Sequence, residues 1–272
     1  EFRRVLFRSI VRNTYAEASE ILGYDLRELI DHDDEKLAET KYTQPAILTT
    51  SVAILRLLES KGFTYDVVAG LSLGEYSALV ASGSLSFADA LRLVAKRGQY
   101  MAEAAPTGSG KMVAVMNTPA DVIEAACQTA SEKGIVSPAN YNTPAQIVIG
   151  GEVAAVDEAV ALLTQAGVKR MIPLKVSGPF HTALLAPASE KLAAELEQVD
   201  FQAFTKPLIS NTTARVMPFD EIKTLLTRQV KEPVKFYESI ETMISLGVTE
   251  FIEIGPGKVL SGDRKSTRLN SR

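Results

Sequence analysis

The chain has 272 residues, 46% of them hydrophobic and 23% charged, with a net charge of −4 and one cysteine. That is enough for one large globular domain or two smaller ones, and the acidic balance argues against nucleic acid or an anionic membrane as partner. No apolar run approaches the ~20 residues of a membrane span, and Cys127 allows no internal disulfide and joins no Cys/His cluster for a metal.

No signal peptide is visible, so a cytoplasmic protein is expected. Residues 1–9 (EFRRVLFRS) show no helix or strand period, residues 263–271 (DRKSTRLNS) are a polar, basic tail, and both resemble translated sequencing-library adapter. Residues 1–9 and 263–272 are therefore set aside as adapter-derived ends, and the expected native chain runs from about Ile10 to Gly262.

Within that span, Val11, Tyr15, Ala18, Ile21 and Leu22 repeat at helical spacing. Residues 31–36 are a charged loop, with His32 a solvated surface histidine. Thr43-Gln44-Pro45 opens a helix over Ala46–Ser60, stopped by Gly62. Tyr65–Ala69 is an apolar run that predicts a buried strand, and it leads into Gly70-Leu71-Ser72-Leu73-Gly74. A helical pattern (Tyr76, Leu79, Val80) follows. Strand, tight turn and helix are the context in which Gly-x-Ser-x-Gly lifts a serine hydroxyl to a helix N-terminus, whose amides stabilise an oxyanion. Gly70 and Gly74 supply the lack of bulk such a turn needs. Ser86 caps a helix to about Ala104, which carries Arg92, Lys96 and Arg97. Pro106–Gly110 has linker composition.

The rhythm then changes. Strands are predicted at 111–116, 134–140, 146–150 and 170–176, with helices at 119–131 and 153–166. The order βαββαβ is that of a ferredoxin-like unit. After Ser177-Gly178-Pro179-Phe180-His181 come a helix from His181 to Val199, a strand at 207–211, a helix at 220–230, a helix from Pro233 and a strand at 248–254. The expected fold is α/β. A mainly parallel sheet with helices on its faces spans 10–106 and 177–262, and the small subdomain, 107–176, is inserted in it.

A serine needs a base to become a nucleophile, and histidine is the usual one. Of His32 and His181, the second stands where a loop enters an element, so it is the base if Ser72 reacts. No Asp or Glu stands out as a third member, which leaves a backbone carbonyl as an alternative. Arg97 lies between Val94 and Met101 on an apolar helix face. It reads either as a buried clamp for a carboxylate or phosphate or as an exposed helix arginine. Asn140 and Asn142 fit either a site or a turn.

Tyr42–Ala46, Gly70–Tyr76, Lys96-Arg97-Gly98, Gly178–His181 and Glu253–Leu260, taken in order, resemble the malonyl-CoA:acyl-carrier-protein transacylases of type II fatty acid synthesis. More distantly, the chain is similar to acyltransferase domains of polyketide synthases. The resemblance implies an α/β-hydrolase-like core with a ferredoxin-like insert. It implies that Ser72 takes malonyl from malonyl-CoA, with His181 accepting its proton, and passes it to the phosphopantetheine thiol of acyl carrier protein. Leu73 would give its N–H to the oxyanion, and the Gln229 carbonyl would orient His181. Arg97, Met101, Phe180 and Asn140 are the candidate substrate-binding residues, with Arg97 on the malonyl carboxylate and Phe180 in the malonyl-selecting form. No cofactor is expected. Two departures stand out. Leu71 replaces the His common in the elbow, and the Gly-Gln-Gly loop that supplies a second oxyanion donor in the family is replaced by Glu1–Ser9. Losing one such donor costs on the order of a hundredfold in rate. The competing functions are an α/β-hydrolase esterase that passes the acyl group to water, for which Arg97 would have no use, and a fragment that only binds carrier protein.

Overall fold

The computed structural model describes residues 2–106, 108–176 and 178–264. α1 (Phe2–Leu22) contains the predicted 11–22 helix, and residues 2–9, which have no legible period, continue it. α2 (Leu26–His32) and α3 (Asp34–Leu37) take the place of the loop expected over 31–36. Capping is the reason: Asp25 accepts from the Glu28 N–H at 2.9 Å and Asp33 from the Lys36 N–H at 3.0 Å. His32 ends α2, exposed, 3.8 Å from Glu28. α4 (Thr40–Glu59) begins at Thr40 rather than Ala46 and contains Pro45. The proline's fixed φ suits a helix, and it forgoes one hydrogen bond to the turn before it. The extra turn puts Gln44 on the buried face. α5 (Gly74–Ala81) follows the serine turn, and α6 (Phe87–Ala104) starts where expected, with Ser86 Oγ accepting from the Asp89 N–H at 3.0 Å.

A four-stranded sheet comes next. Its elements are β1 (Lys111–Met116), α7 (Ala120–Ala130), β2 (Val136–Thr143), β3 (Gln146–Gly151), α8 (Val153–Gln165) and β4 (Met171–Pro173). The strand order is β2-β3-β1-β4, with every neighbouring pair antiparallel. Period-two alternation sorts its side chains. Val113, Val115, Ile147 and Ile149 pack with Ile123 and Leu163 of the two helices. Met112, Ala114, Ala139 and Val148 line the opposite face, against Phe180. Cys127 is buried on the helix side.

α9 (Ala186–Leu196), α10 (Ile222–Gln229), α11 (Phe236–Ser245) and α12 (Val259–Arg264) complete the chain. Two expectations are corrected here. The helix predicted from His181 starts at Ala186 after a 3-10 turn, and His181 lies ahead of it with φ 60°. That backbone conformation is incompatible with a right-handed helix. Among the described residues of 10–106 and 177–262 the parallel sheet is reduced to one rung, in which the Val68 N–H donates to Pro207 O at 2.9 Å and the Ile209 N–H to Val68 O at 3.0 Å. Residues 65–69 extend no further ladder, and 248–254 form no strand. A β-branched run becomes a strand only where a neighbour completes its hydrogen bonds. The main core instead packs α4, α5, α6, α9 and α10 through residues such as Leu48, Tyr76, Leu91, Leu192 and Leu225, with Leu208 between them. No described helix is long and apolar enough to cross a membrane.

Candidate active site

The turn between Val68 and α5 holds Ser72 at φ 54°. A non-glycine residue there costs of order 1–3 kcal/mol and persists only when its surroundings fix it. Asn211 does the fixing. Its Oδ1 accepts the Ser72 N–H at 2.6 Å, and its Nδ2 donates to Gly70 O at 2.6 Å. Backbones meet closely here. A Cβ on Gly70 would sit 2.0 Å from the Gly74 carbonyl, whereas one on Gly74 would meet nothing within 4 Å. Gly70 alone is therefore needed for want of bulk, a correction to the symmetric expectation. The Leu73 N–H, at the start of α5, has no acceptor among the described residues. It follows Ser72 directly in the chain and precedes α5.

His181 reaches Ser72 from the turn before α9. Thr182 Oγ1 donates to Pro179 O at 2.7 Å and the Phe180 N–H to Gly178 O at 3.0 Å, which shapes that turn. His181 Nδ1 is 2.7 Å from Gln229 O. A carbonyl can only accept, so Nδ1 carries the proton. Nε2 is then free to accept from Ser72 Oγ, 2.8 Å away. Burial, and then the Arg97 cation, push the imidazole pKa down to about 4, against the opposing pull of the Gln229 carbonyl. The histidine is therefore neutral at physiological pH, in the tautomer of a base.

Arg97 is 1% exposed, so the helix-face arginine is a buried one. Its Nη1 donates to Gln44 Oε1 at 2.7 Å, and its Nη2 to Ser72 Oγ at 3.2 Å and Gln229 Oε1 at 3.1 Å. Each acceptor is a neutral oxygen, and Nε has none. The guanidinium also lies 5.5 Å from the Tyr76 ring centroid. Gln229 does three further things: its carbonyl holds His181, its Nε2 donates to Ser72 O at 2.8 Å, and the same nitrogen donates to Glu75. Glu75, 1% exposed, also accepts the Asn211 N–H at 2.9 Å. Burial pushes its carboxyl up to about 7, against those two donors and the Arg97 charge.

Ser72, Leu73, Arg97, His181 and Gln229 thus come together. Met101 is buried next to them, its sulfur accepting from Gln44 Nε2 at 3.4 Å. Phe180 is half-buried between the main core and the face of the small sheet opposite its helices. Asn140 sits on β2 opposite Val148, bridged to Val234, and no hydrogen bond among the described residues joins it to the network. Asn142 is in the same strand and donates to Gln146 at 2.8 Å. Glu75, Asn211 and Gln44 were not singled out from the sequence. The acid in the first turn of the helix after the elbow was the available signal for Glu75. No group of three or more His, Cys, Asp or Glu among the described residues could hold a metal ion.

Residues 4–268 match the acyl transferase domain. The malonyl CoA-acyl carrier protein transacylase of Escherichia coli K12 is 46% identical over 256 residues, 93% of this chain and 83% of that protein. The Bacillus subtilis protein of the same name is 48% identical over 254 residues, 92% of this chain and 80% of that one. The crystal structure of MCAT from Streptococcus pneumoniae is 68% identical, with a TM-score of 0.93 over 95% of this chain and 85% of that one. A type II PKS acyl-carrier protein in complex with its malonyl-transacylase matches at 43% identity and a TM-score of 0.90, over 93% of this chain and 83% of that one. With these matches running along nearly all of its length, the chain belongs to the malonyl CoA-acyl carrier protein transacylases of the acyl transferase family.

Proposed function

We propose that this chain transfers a malonyl group from malonyl-CoA to the phosphopantetheine thiol of acyl carrier protein, through a malonyl ester of Ser72. The Ser72 hydroxyl gives its proton to His181 Nε2 as Oγ attacks the thioester carbonyl. The oxyanion that forms takes the Leu73 N–H and the N-terminal end of α5 as its stabilisers. The C–S bond then breaks, and the CoA sulfur leaves with the proton from His181. In the second half the carrier thiol gives its proton to His181, its sulfur attacks the ester, and the Ser72 hydroxyl is regenerated. The Gln229 carbonyl supports the imidazolium that appears in each half. No cofactor takes part, because both acyl donor and acceptor are substrates.

One observation carries the choice of acyl group. Arg97 is a buried cation whose acceptors are all neutral, within 3.2 Å of the nucleophile. A planar guanidinium in that setting suits a carboxylate, and an apolar ester pocket would have no use for it. Phe180 and Met101 form apolar walls in this reading, and Asn140 a more distant polar contact. The fold divides, on this reading, into an α/β-hydrolase-like core over 10–106 and 177–262 and a ferredoxin-like subdomain over 107–176. The parallel bridge at Val68 and the turn from Ser72 into α5 support the first, and the β2-β3-β1-β4 order the second. A lone buried thiol at Cys127 fits a cytoplasmic setting.

Intact-protein mass spectrometry after brief exposure to malonyl-CoA tests the proposal. A malonyl adduct is expected that is absent from Ser72→Ala and is discharged by added carrier protein. A folded chain that takes up no malonyl group, or takes it up equally in Ser72→Ala, overturns it.

A further inference from the structure

The hydrogen-bond directions around Gln229 admit one arrangement. Its Nε2 has two hydrogens, and both are used, one on Ser72 O at 2.8 Å and one on Glu75. Its Oε1 is left to accept from Arg97 Nη2 at 3.1 Å. Turning the amide over would set an NH₂ against the guanidinium, donor to donor, and an oxygen against both the Ser72 carbonyl and Glu75, acceptor to acceptor. Glu75 opposes this turn together with Arg97 and the Ser72 carbonyl, and it is the one carboxylate among the three. Its two oxygens face two donors, the Asn211 N–H and Gln229 Nε2. A carboxylate satisfies both. A glutamine in its place would present an NH₂ to one of them.

We infer that Glu75 is a positioning residue for the acyl carboxylate, because its carboxylate fixes the Gln229 amide with its oxygen towards Arg97 and so sets the guanidinium for the substrate. The inference rests on the reading of Arg97 given above and extends it one shell outwards. It predicts a sign that simple electrostatics does not. Glu75 and the malonyl carboxylate are both anions near one cation. If Glu75 acted through charge alone, removing it would strengthen the preference for malonyl. If it sets the amide, removing it weakens that preference.

The test is isothermal titration calorimetry in the Ser72→Ala background, above neutral pH, with malonyl-CoA and acetyl-CoA. These two donors differ in the terminal carboxylate. Glu75→Gln is expected to lower the malonyl-over-acetyl affinity ratio about tenfold or more while acetyl-CoA binding stays within about threefold, the tenfold loss corresponding to about 1.4 kcal/mol. Glu75→Asp keeps the charge but is too short to reach both donors, so it should lower the ratio as well. A ratio that rises, or affinities that fall together at constant ratio, overturns the inference. Should Glu75→Gln fail to fold, Gln229→Ala removes the amide and keeps the carbonyl on His181. The ratio must fall there too, and an unchanged ratio again overturns the inference. Absence of any malonyl preference in Ser72→Ala itself would remove Arg97 as the carboxylate site, and the inference would fall with it.

Discussion

Replacing Asn211 should unfasten the nucleophile. In Asn211→Ala the Ser72 N–H and the Gly70 carbonyl both lose their partner, and each contact is a 2.6 Å hydrogen bond in the present structure. An unsatisfied buried group costs about 1–3 kcal/mol. Gly70 is buried and Ser72 half-buried, so the two together come to about 3 kcal/mol, before any relief of the strained Ser72 backbone. In urea, with an m value of about 3 kcal/mol per molar for a chain of this size, the midpoint falls by about 1 M. Asn211→Asp should be worse than alanine at neutral pH. It keeps an acceptor for the Ser72 N–H but points a second carboxylate oxygen at the Gly70 carbonyl, close to Glu75. Its deficit should shrink on acidification, because the introduced carboxyl, once protonated, regains a donor. Equilibrium urea unfolding with malonyl uptake measured in parallel provides the assay. An alanine variant within about 0.5 kcal/mol of the parent that acylates at the parental rate would refute the account of the elbow.

Other outcomes follow from the same geometry. Gly70→Ala, with its Cβ driven into the Gly74 backbone, should abolish Ser72 acylation, whereas Gly74→Ala should retain most of it, as mass spectrometry of the adduct would report. Arg97→Ala should slow malonyl transfer by a hundredfold or more and leave acetyl transfer far less affected, read from single-turnover rates with the two donors. His181 and Glu75 should tilt stability against pH in opposite senses. The His181 pKa is depressed from 6.5 to about 4. The unfolded chain therefore takes up that proton first, and stability drops as pH falls through this window, by about 3 kcal/mol. The Glu75 pKa is raised from 4.5 to about 7, so the folded chain holds that proton longer and stability drops as pH rises from 4.5 to 7, by a similar amount. The two nearly cancel in the parent. Denaturation curves should show the His181 slope exposed in Glu75→Gln and the Glu75 slope exposed in His181→Ala.

The parts of the site that were legible in the sequence are those with local signatures. Ser72 announces itself through the apolar run before the glycine-flanked turn and the helical pattern after it, and His181 through the scarcity of histidines. The small-sheet strands show as short runs set off by the turn at Asn142-Thr143-Pro144 and by helical patterns between them. Gln44 was hidden by Pro45, which reads as a helix start although α4 runs through it. Glu75 and Asn211 were hidden for a different reason. They are joined to each other and to Gln229 by hydrogen bonds between distant positions, and neither residue type nor spacing encodes a partner more than a hundred residues away. The strands expected at 65–69 and 248–254 failed because hydrophobicity predicts burial, while a strand also needs an adjacent ladder. The helix expected from His181 failed because amphipathic spacing carries no information about a positive φ.

The contacts that make Ser72 reactive reach far along the chain: 109 residues to His181, 139 to Asn211 and 157 from the Gln229 side chain. Synthesis runs from the N-terminus, so the serine leaves the ribosome long before any of them. Until Asn211 has emerged there is no lock on the elbow, and until Gln229 has emerged there is no oriented imidazole. A nascent chain that has not yet reached Gln229 therefore carries at position 72 a serine without its full set of activating contacts. A product broken off before α10 ends would lack the Gln229 contacts to His181 and Ser72, and a weaker nucleophile at position 72 is expected of it.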